Sequence, residues 1–148
     1  MKVFVTGAGG YIGRYVVKHL LLLGHDVTTA QRKPGLAIEG STALNIDILQ
    51  AGTDIFDAVG RPDICIHMAW EQGFLHGSPL HIKNVEKHIA FMQNMLSGGL
   101  KHLVGIGAMH EIGYHVGPVT ESTPTNPVNA YGIAKNYLQR VQSLLCNQ

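Results

Sequence analysis

Charge is scarce in this 148-residue chain. Asp, Glu, Lys and Arg make up 14% of it, and 11 basic against 10 acidic side chains leave a formal net charge of +1. A surface that holds nucleic acid by its phosphates needs clustered Lys and Arg and a strongly basic balance. The expectation is therefore no nucleic-acid partner, and a small molecule instead. Cysteine is nearly absent: Cys65 and Cys146 build no disulfide framework and read as small apolar residues in a reducing compartment. No apolar run approaches the ~20 residues that cross a bilayer. The first apolar run is cut by glycine and lacks the small-residue cleavage site of a secretory leader. These features predict a soluble, cytoplasmic protein with no membrane partner. Histidine is plentiful, at nine, but no Cys/His group has the paired spacing of a zinc site, so no metal is expected.

What is present is 45% apolar residues in a one-domain length, enough for a real core. Lys2 to Thr6 is a short β-branched, apolar run bounded by glycine, which predicts a buried strand. Gly7, Gly9 or Gly10, and Gly13 follow as a tight turn, and from Tyr11 the apolar spacing becomes helical, with Ile12, Val16, Leu20 and Leu23 on one stripe. A strand, a glycine turn and a helix N-terminus aim backbone N–H groups and the positive end of a dipole at one spot, which suits a pyrophosphate. Glycines this close together also occur in ordinary loops, but the flanking strand and helix are what the dinucleotide fingerprint requires. Gly7, Gly9, Gly10, Tyr11, Ile12 and Gly13 are the expected pyrophosphate contacts.

Further strands are predicted at Asp26 to Ala30, Ala43 to Ile46, Asp63 to Met68 and Lys101 to Ile106. Helices are predicted at Ala51 to Val59, at Leu80 to Ser97 with Val85, Ile89, Met92 and Leu96 inward, and from Ala130. Such alternation predicts an α/β fold, a doubly wound parallel sheet of the Rossmann kind in strand order 3-2-1-4-5, with three α/β/α layers. The residues after the second strand normally meet the adenosine ribose. Here they are Gln31-Arg32-Lys33, with no carboxylate to repel a 2′-phosphate, and Arg32 favours NADP(H) over NAD(H). A solvated loop ahead of Pro34 is the plainer alternative. Tyr131 and Lys135 lie four apart, on one helix face. A lysine cation near a phenol lowers the phenol's pKa, so Tyr131 could move a proton on a substrate oxygen. Packing plus a surface lysine is the alternative for an isolated YxxxK.

Thr6-Gly-Ala-Gly-Gly-Tyr-Ile-Gly13 with Tyr131-Gly-Ile-Ala-Lys135 resembles the extended short-chain dehydrogenases/reductases, which include nucleotide-sugar epimerases, dehydratases and ketoreductases. The resemblance runs from Lys2 to about Leu145. It implies adenine contacts at Asp47 and Ile48, although Asp47 alone could equally cap a helix. It places His67-Met-Ala-Trp70 like the family's HxAA segment, with Met68, Ala69 and Trp70 beside the cofactor ribose and nicotinamide. His67 itself reads as a packed strand residue, and Asn84 matches an asparagine near the family's active site. Lys135 would also hold the nicotinamide ribose. The family's Ser or Thr hydroxyl after the fifth strand falls at Ala108, whose methyl cannot donate, leaving His110 or a water as substitutes. Met109-His110 in place of an Asp-Glu pair disfavours dehydration, and Gly107 to Glu111 looks like the GTxxEY segment of sugar ketoreductase-like members.

The resemblance implies a nucleotide-sugar substrate and a leading activity of 4-keto reduction, with epimerisation using the same parts. It implies a further lobe for the sugar nucleotide, so residues 1–148 are expected to form an incomplete dinucleotide-binding domain. An exposed sheet edge would favour a homodimer. The rival expectation, given Ala108, is a non-catalytic NADP-binding module or an inactive fragment.

Overall fold

β-branched and aromatic runs flanked by turns become five strands in the computed structural model, which describes residues 1–32 and 37–147. The strands are β1 (Lys2–Thr6), β2 (Asp26–Gln31), β3 (Thr42–Asn45), β4 (Ile64–His67) and β5 (His102–Gly105). All pair in parallel, in the order β3-β2-β1-β4-β5, as the alternating pattern predicts. The described residues fall into two compact units. Met1–Trp70 with Ala90–Ile106 holds the sheet. Glu71–Ile89 with the stretch from Gly107 onward forms the second.

In the first unit β1 is central, and a central parallel strand is covered on both faces. Val3 and Val5 point one way and Phe4 the other. Val3, Val5 and Val27 pack with Val17 of helix α1 (Gly13–Leu22), joined by Leu20, Leu21 and Ile66. On the opposite face Phe4 meets Phe91 at 6.4 Å between ring centroids, a residue of helix α3 (Leu80–Ser97). Helices therefore lie on both faces of this sheet. α3 ends at Gly98-Gly99, where the Leu100 N–H donates to the Met95 carbonyl.

Three elements differ from the sequence reading. α1 starts at Gly13 rather than Tyr11, and its inward residues are Gly13 and Val17, while Ile12 and Leu23 are 57% and 60% exposed. Val16 and Val17 are adjacent, so periodicity alone leaves the stripe free to rotate by one residue. The press of Gly13 against the Gly7 carbonyl fixes which face turns in. The predicted helix over Ala51 to Val59 shrinks to α2 (Ile55–Ala58), and a separate 3₁₀ turn at Ile48–Gln50 precedes it, capped by Asp47 at the Leu49 N–H. α3 has its predicted bounds, and Met92 is core as expected, with Met95 equally buried. Its buried stripe, however, runs His81, Asn84, Val85, His88, Phe91, Met92, Met95, with Ile89 and Leu96 only half-buried. Polar residues occupy inward positions that the sequence reading gave to aliphatic ones.

Candidate functional site

Within the sheet unit, β1 delivers its glycine turn to the carboxyl end of the strands. Gly7 has φ +71°, and the Gly10 N–H donates to its carbonyl at 3.0 Å. A Cβ on Gly7 would sit 2.7 Å from the Ala69 nitrogen and 2.8 Å from the Met68 carbonyl carbon, and one on Gly13 would overlap the Gly7 carbonyl. Only glycine fits where backbone runs against backbone. α1 opens at Ile12 with no side-chain cap and no acidic residue in its first turn. The Arg14 and Tyr15 N–H groups are taken by the Gly10 and Ile12 carbonyls at 3.3 and 3.0 Å, but no side chain competes with an anion for the positive end of the helix dipole. Gly9, Gly10, Tyr11 and Ile12 are exposed around it.

Thr6, the last residue of β1, is a residue that the sequence reading overlooked. Its fully buried hydroxyl lies 2.8 Å from Nδ1 of His67 and accepts from the N–H groups of Met68 and Ala69, each at 3.1 Å. This ties the exit of β4 to the glycine turn. A hydroxyl ending an otherwise apolar inward run was the available signal. His67 is buried and lies 5.1 Å from the Phe91 ring, a packed strand residue as expected. Met68, Ala69 and Trp70 follow, half-buried, and Arg32 is exposed just past β2. Lys33 lies outside the described residues. Asp47 caps the turn at Ile48, which is itself buried, through one carboxylate oxygen, Oδ1, at the Leu49 N–H.

In the second unit Asn129 starts helix α4 (Ala130–Cys146), its side-chain oxygen accepting from the Gly132 N–H at 2.8 Å. Gly132 is pressed on the His110 carbonyl, and the Tyr131 N–H donates to the His76 carbonyl at 3.0 Å. Tyr131 and Lys135 stand one helical turn apart, as their spacing requires. Three imidazoles surround the phenol ring: His76 stacked at 5.5 Å, His81 at 5.2 Å and His110 edge-on at 5.4 Å. Of these the sequence pointed only to His110, as a substitute donor for the hydroxyl absent at Ala108; His76 and His81 come from separate segments and carry no local signal. Asn84 donates to Glu71 at 2.5 Å.

The electrostatics differ from expectation. Burial, and then the Glu111 carboxylate, push the Tyr131 phenol above its usual range. Burial lowers Lys135, with Glu111 opposing. Glu111 is itself buried and accepts from the Ala108 N–H at 2.6 Å. His88 is pushed down to about 4 by burial and by Lys135. In this state desolvation and a carboxylate outweigh the lysine's pull on the phenol. Ala108, ahead of the 3₁₀ turn Met109–Glu111, presents no hydroxyl.

The NAD dependent epimerase/dehydratase family model matches residues 3–147. The chain is 42% identical over 144 residues to the dTDP-6-deoxy-L-talose 4-dehydrogenase (NAD(+)) of Aggregatibacter actinomycetemcomitans, covering 95% of this chain and 53% of that protein. It is 30% identical over 148 residues to a UDP-glucose 4-epimerase of Corynebacterium glutamicum, covering 91% and 44%. Among solved structures, a UDP-glucose 4-epimerase matches with a TM-score of 0.86 at 23% identity, covering 99% of this chain and 48% of that one. MoeE5 in complex with UDP-glucose and NAD matches with 0.86 at 22%, covering 100% and 50%. The chain spans about half the length of the curated relatives it matches. With a family match running from β1 through α4, and the strand order that its glycine motif foretold, the chain belongs to the NAD dependent epimerase/dehydratase family.

Proposed function

We propose that this chain is the dinucleotide-binding part of an oxidoreductase that works at C4 of a nucleotide sugar, oxidising a hydroxyl or reducing the matching ketone. The observation that carries the reading is the pairing of Tyr131 with Lys135 on α4 in a desolvated, imidazole-lined setting. The relatives' names, a 4-dehydrogenase and 4-epimerases, support C4 as the reacting carbon. Gly7 and Gly13, which leave no room for a Cβ, and the uncapped start of α1 fit a dinucleotide's pyrophosphate. Asp47, Ile48, Met68, Ala69 and Trp70 would line its adenine and nicotinamide ends.

When bound, a nicotinamide dinucleotide supplies the hydride donor or acceptor. The protein's own part is to move the proton. Tyr131 takes it from the sugar hydroxyl in oxidation and returns it to the alkoxide in reduction. A phenol held above its usual pKa is protonated at neutral pH and thus set for the reductive direction. Lys135 stabilises the phenolate when it forms.

NAD is the cofactor that the relatives' names favour, and Arg32 is the feature that favours a 2′-phosphate. Titrating the full-length protein with NADH and NADPH decides between them, since tighter NADPH binding makes Arg32 the selector. Free Cys65 and Cys146 suit a reducing cytoplasm. The partly exposed Val104 and Ile106 at the β5 side of the sheet favour pairing of two copies.

A non-catalytic binding module is the second reading, favoured by the methyl at Ala108. Full-length protein is given dTDP-6-deoxy-L-talose and NAD⁺, and the appearance of NADH is followed. Tyr131→Phe should lower kcat by about 10²- to 10⁴-fold with nucleotide binding unchanged. Equal turnover by the variant would remove Tyr131 from the chemistry, and no turnover by either protein would favour the binding module.

A further inference from the structure

An oxygen that gains negative charge during hydride transfer is stabilised by more than one preorganised donor. Tyr131 supplies one, and Ala108 has none to offer. The rings around Tyr131 differ in what they can still give. In neutral His81, Nε2–H is spent on the Leu75 carbonyl at 2.9 Å, so its Nδ1 carries a lone pair. His110 is the reverse. The Asn129 side-chain oxygen is committed to the Gly132 N–H at 2.8 Å, so the amide nitrogen is the group facing His110 Nδ1 at 3.0 Å. That nitrogen can only donate. His110 Nδ1 is therefore the acceptor, and the ring proton sits on Nε2. Among the described residues this Nε2–H has no hydrogen-bond partner, and its ring lies 5.4 Å from that of Tyr131.

We propose that His110 is a catalytic hydrogen-bond donor, its Nε2–H acting with Tyr131 on the reacting oxygen and standing in for the hydroxyl absent at Ala108. This rests on the hydride-transfer reading of Tyr131. Asn129 is a positioning residue in the same device, because its cap on α4 and its grip on His110 Nδ1 are one amide group. Gly132 permits the arrangement, since a Cβ there would collide with the His110 carbonyl.

Full-length variants are compared with dTDP-6-deoxy-L-talose and NAD⁺, with NADH binding measured separately by fluorescence. His110→Phe should lower kcat by about 10²- to 10³-fold, with NADH affinity unchanged and KM altered little. His110→Gln, whose amide N–H reaches where Nε2–H was, should recover most of the loss. Asn129→Asp keeps the cap but accepts from Nδ1, leaving neutral His110 without an Nε2–H. Its kcat should fall toward that of His110→Phe with NADH affinity unchanged. The ¹⁵N shifts of His110 should report the Nε2–H tautomer in the parent and the other in Asn129→Asp. Unimpaired His110→Phe beside a dead Tyr131→Phe overturns the donor assignment alone, as does an Nδ1–H tautomer in the parent. Full activity in Tyr131→Phe overturns the hydride-transfer reading and the donor with it.

Discussion

Thr6 and His67 are joined by a buried hydroxyl that is used to capacity. Both acceptor positions of the Thr6 oxygen are taken by the Met68 and Ala69 N–H groups, so its single proton points to His67 Nδ1. The His67 proton is consequently on Nε2. Thr6→Val keeps the volume and deletes the oxygen, stranding the Ala69 N–H and an imidazole acceptor, while the Met68 N–H keeps the residue-6 carbonyl at 3.3 Å. The expected loss is about 2–4 kcal/mol in the midpoint-derived stability from urea unfolding. A loss below about 0.5 kcal/mol would show that the hydroxyl is dispensable.

Gly7 and Gly10 should respond differently to alanine. At Gly7 the backbone has φ +71°, and the new methyl meets the Ala69 and Met68 backbone under 3.0 Å. The expected cost is on the order of 3 kcal/mol, with dinucleotide binding lost. At Gly10 the methyl meets only the Gly7 carbonyl oxygen at 3.2 Å, so folding should be kept to within about 1 kcal/mol. If Gly10→Ala folds but no longer binds NADH, the closeness of that backbone to the pyrophosphate is what the glycine serves.

His88 makes stability depend on pH. Its folded pKa, about 4, lies below the ordinary 6.5, so the unfolded chain binds the proton more tightly. The contribution is complete above pH 6.5 and is lost as pH falls toward 4. Its ceiling is about 3 kcal/mol. His88→Met should flatten the decline in thermal midpoint between pH 7 and 4.5. An unchanged slope would assign the decline to other groups.

Glu111 sets the phenol's working range. Its charge raises Tyr131, and Glu111→Gln keeps an acceptor for the Ala108 N–H while removing that charge. For the oxidative reaction, kcat/KM should climb with pH as the phenolate forms. In the variant the climb should move to lower pH, because Tyr131 is then easier to ionise. A shift to higher pH would mean that loss of Glu111's hold on Lys135 dominates instead.

The order of the sheet was legible because each strand is a short apolar run between glycine, proline or polar turns, and parallel pairing follows from the helices between. The ends of α3 were legible too, with Pro79 before it and Gly98-Gly99 after. Its inward face was not, because His81, Asn84 and His88 look like solvent residues until a partner elsewhere in the chain is known. The glycine turn could be read from its spacing together with the strand and helix that flank it, whereas Thr6 could not, since its three partners lie more than sixty positions away. Tyr131 and Lys135 were found by their i, i+4 relation. The direction of the phenol's shift depends on burial and on Glu111, which a local pattern does not contain.

The centre of the sheet is also its earliest part. β1 bonds to β2 on one side and to β4 on the other, so on a translating ribosome it acquires its second neighbour only after His67 has emerged, an interval on the order of seconds. During that interval Val3, Phe4 and Val5 offer an open ladder to any passing strand. A message cut before β4 would release a polypeptide primed to join its own kind.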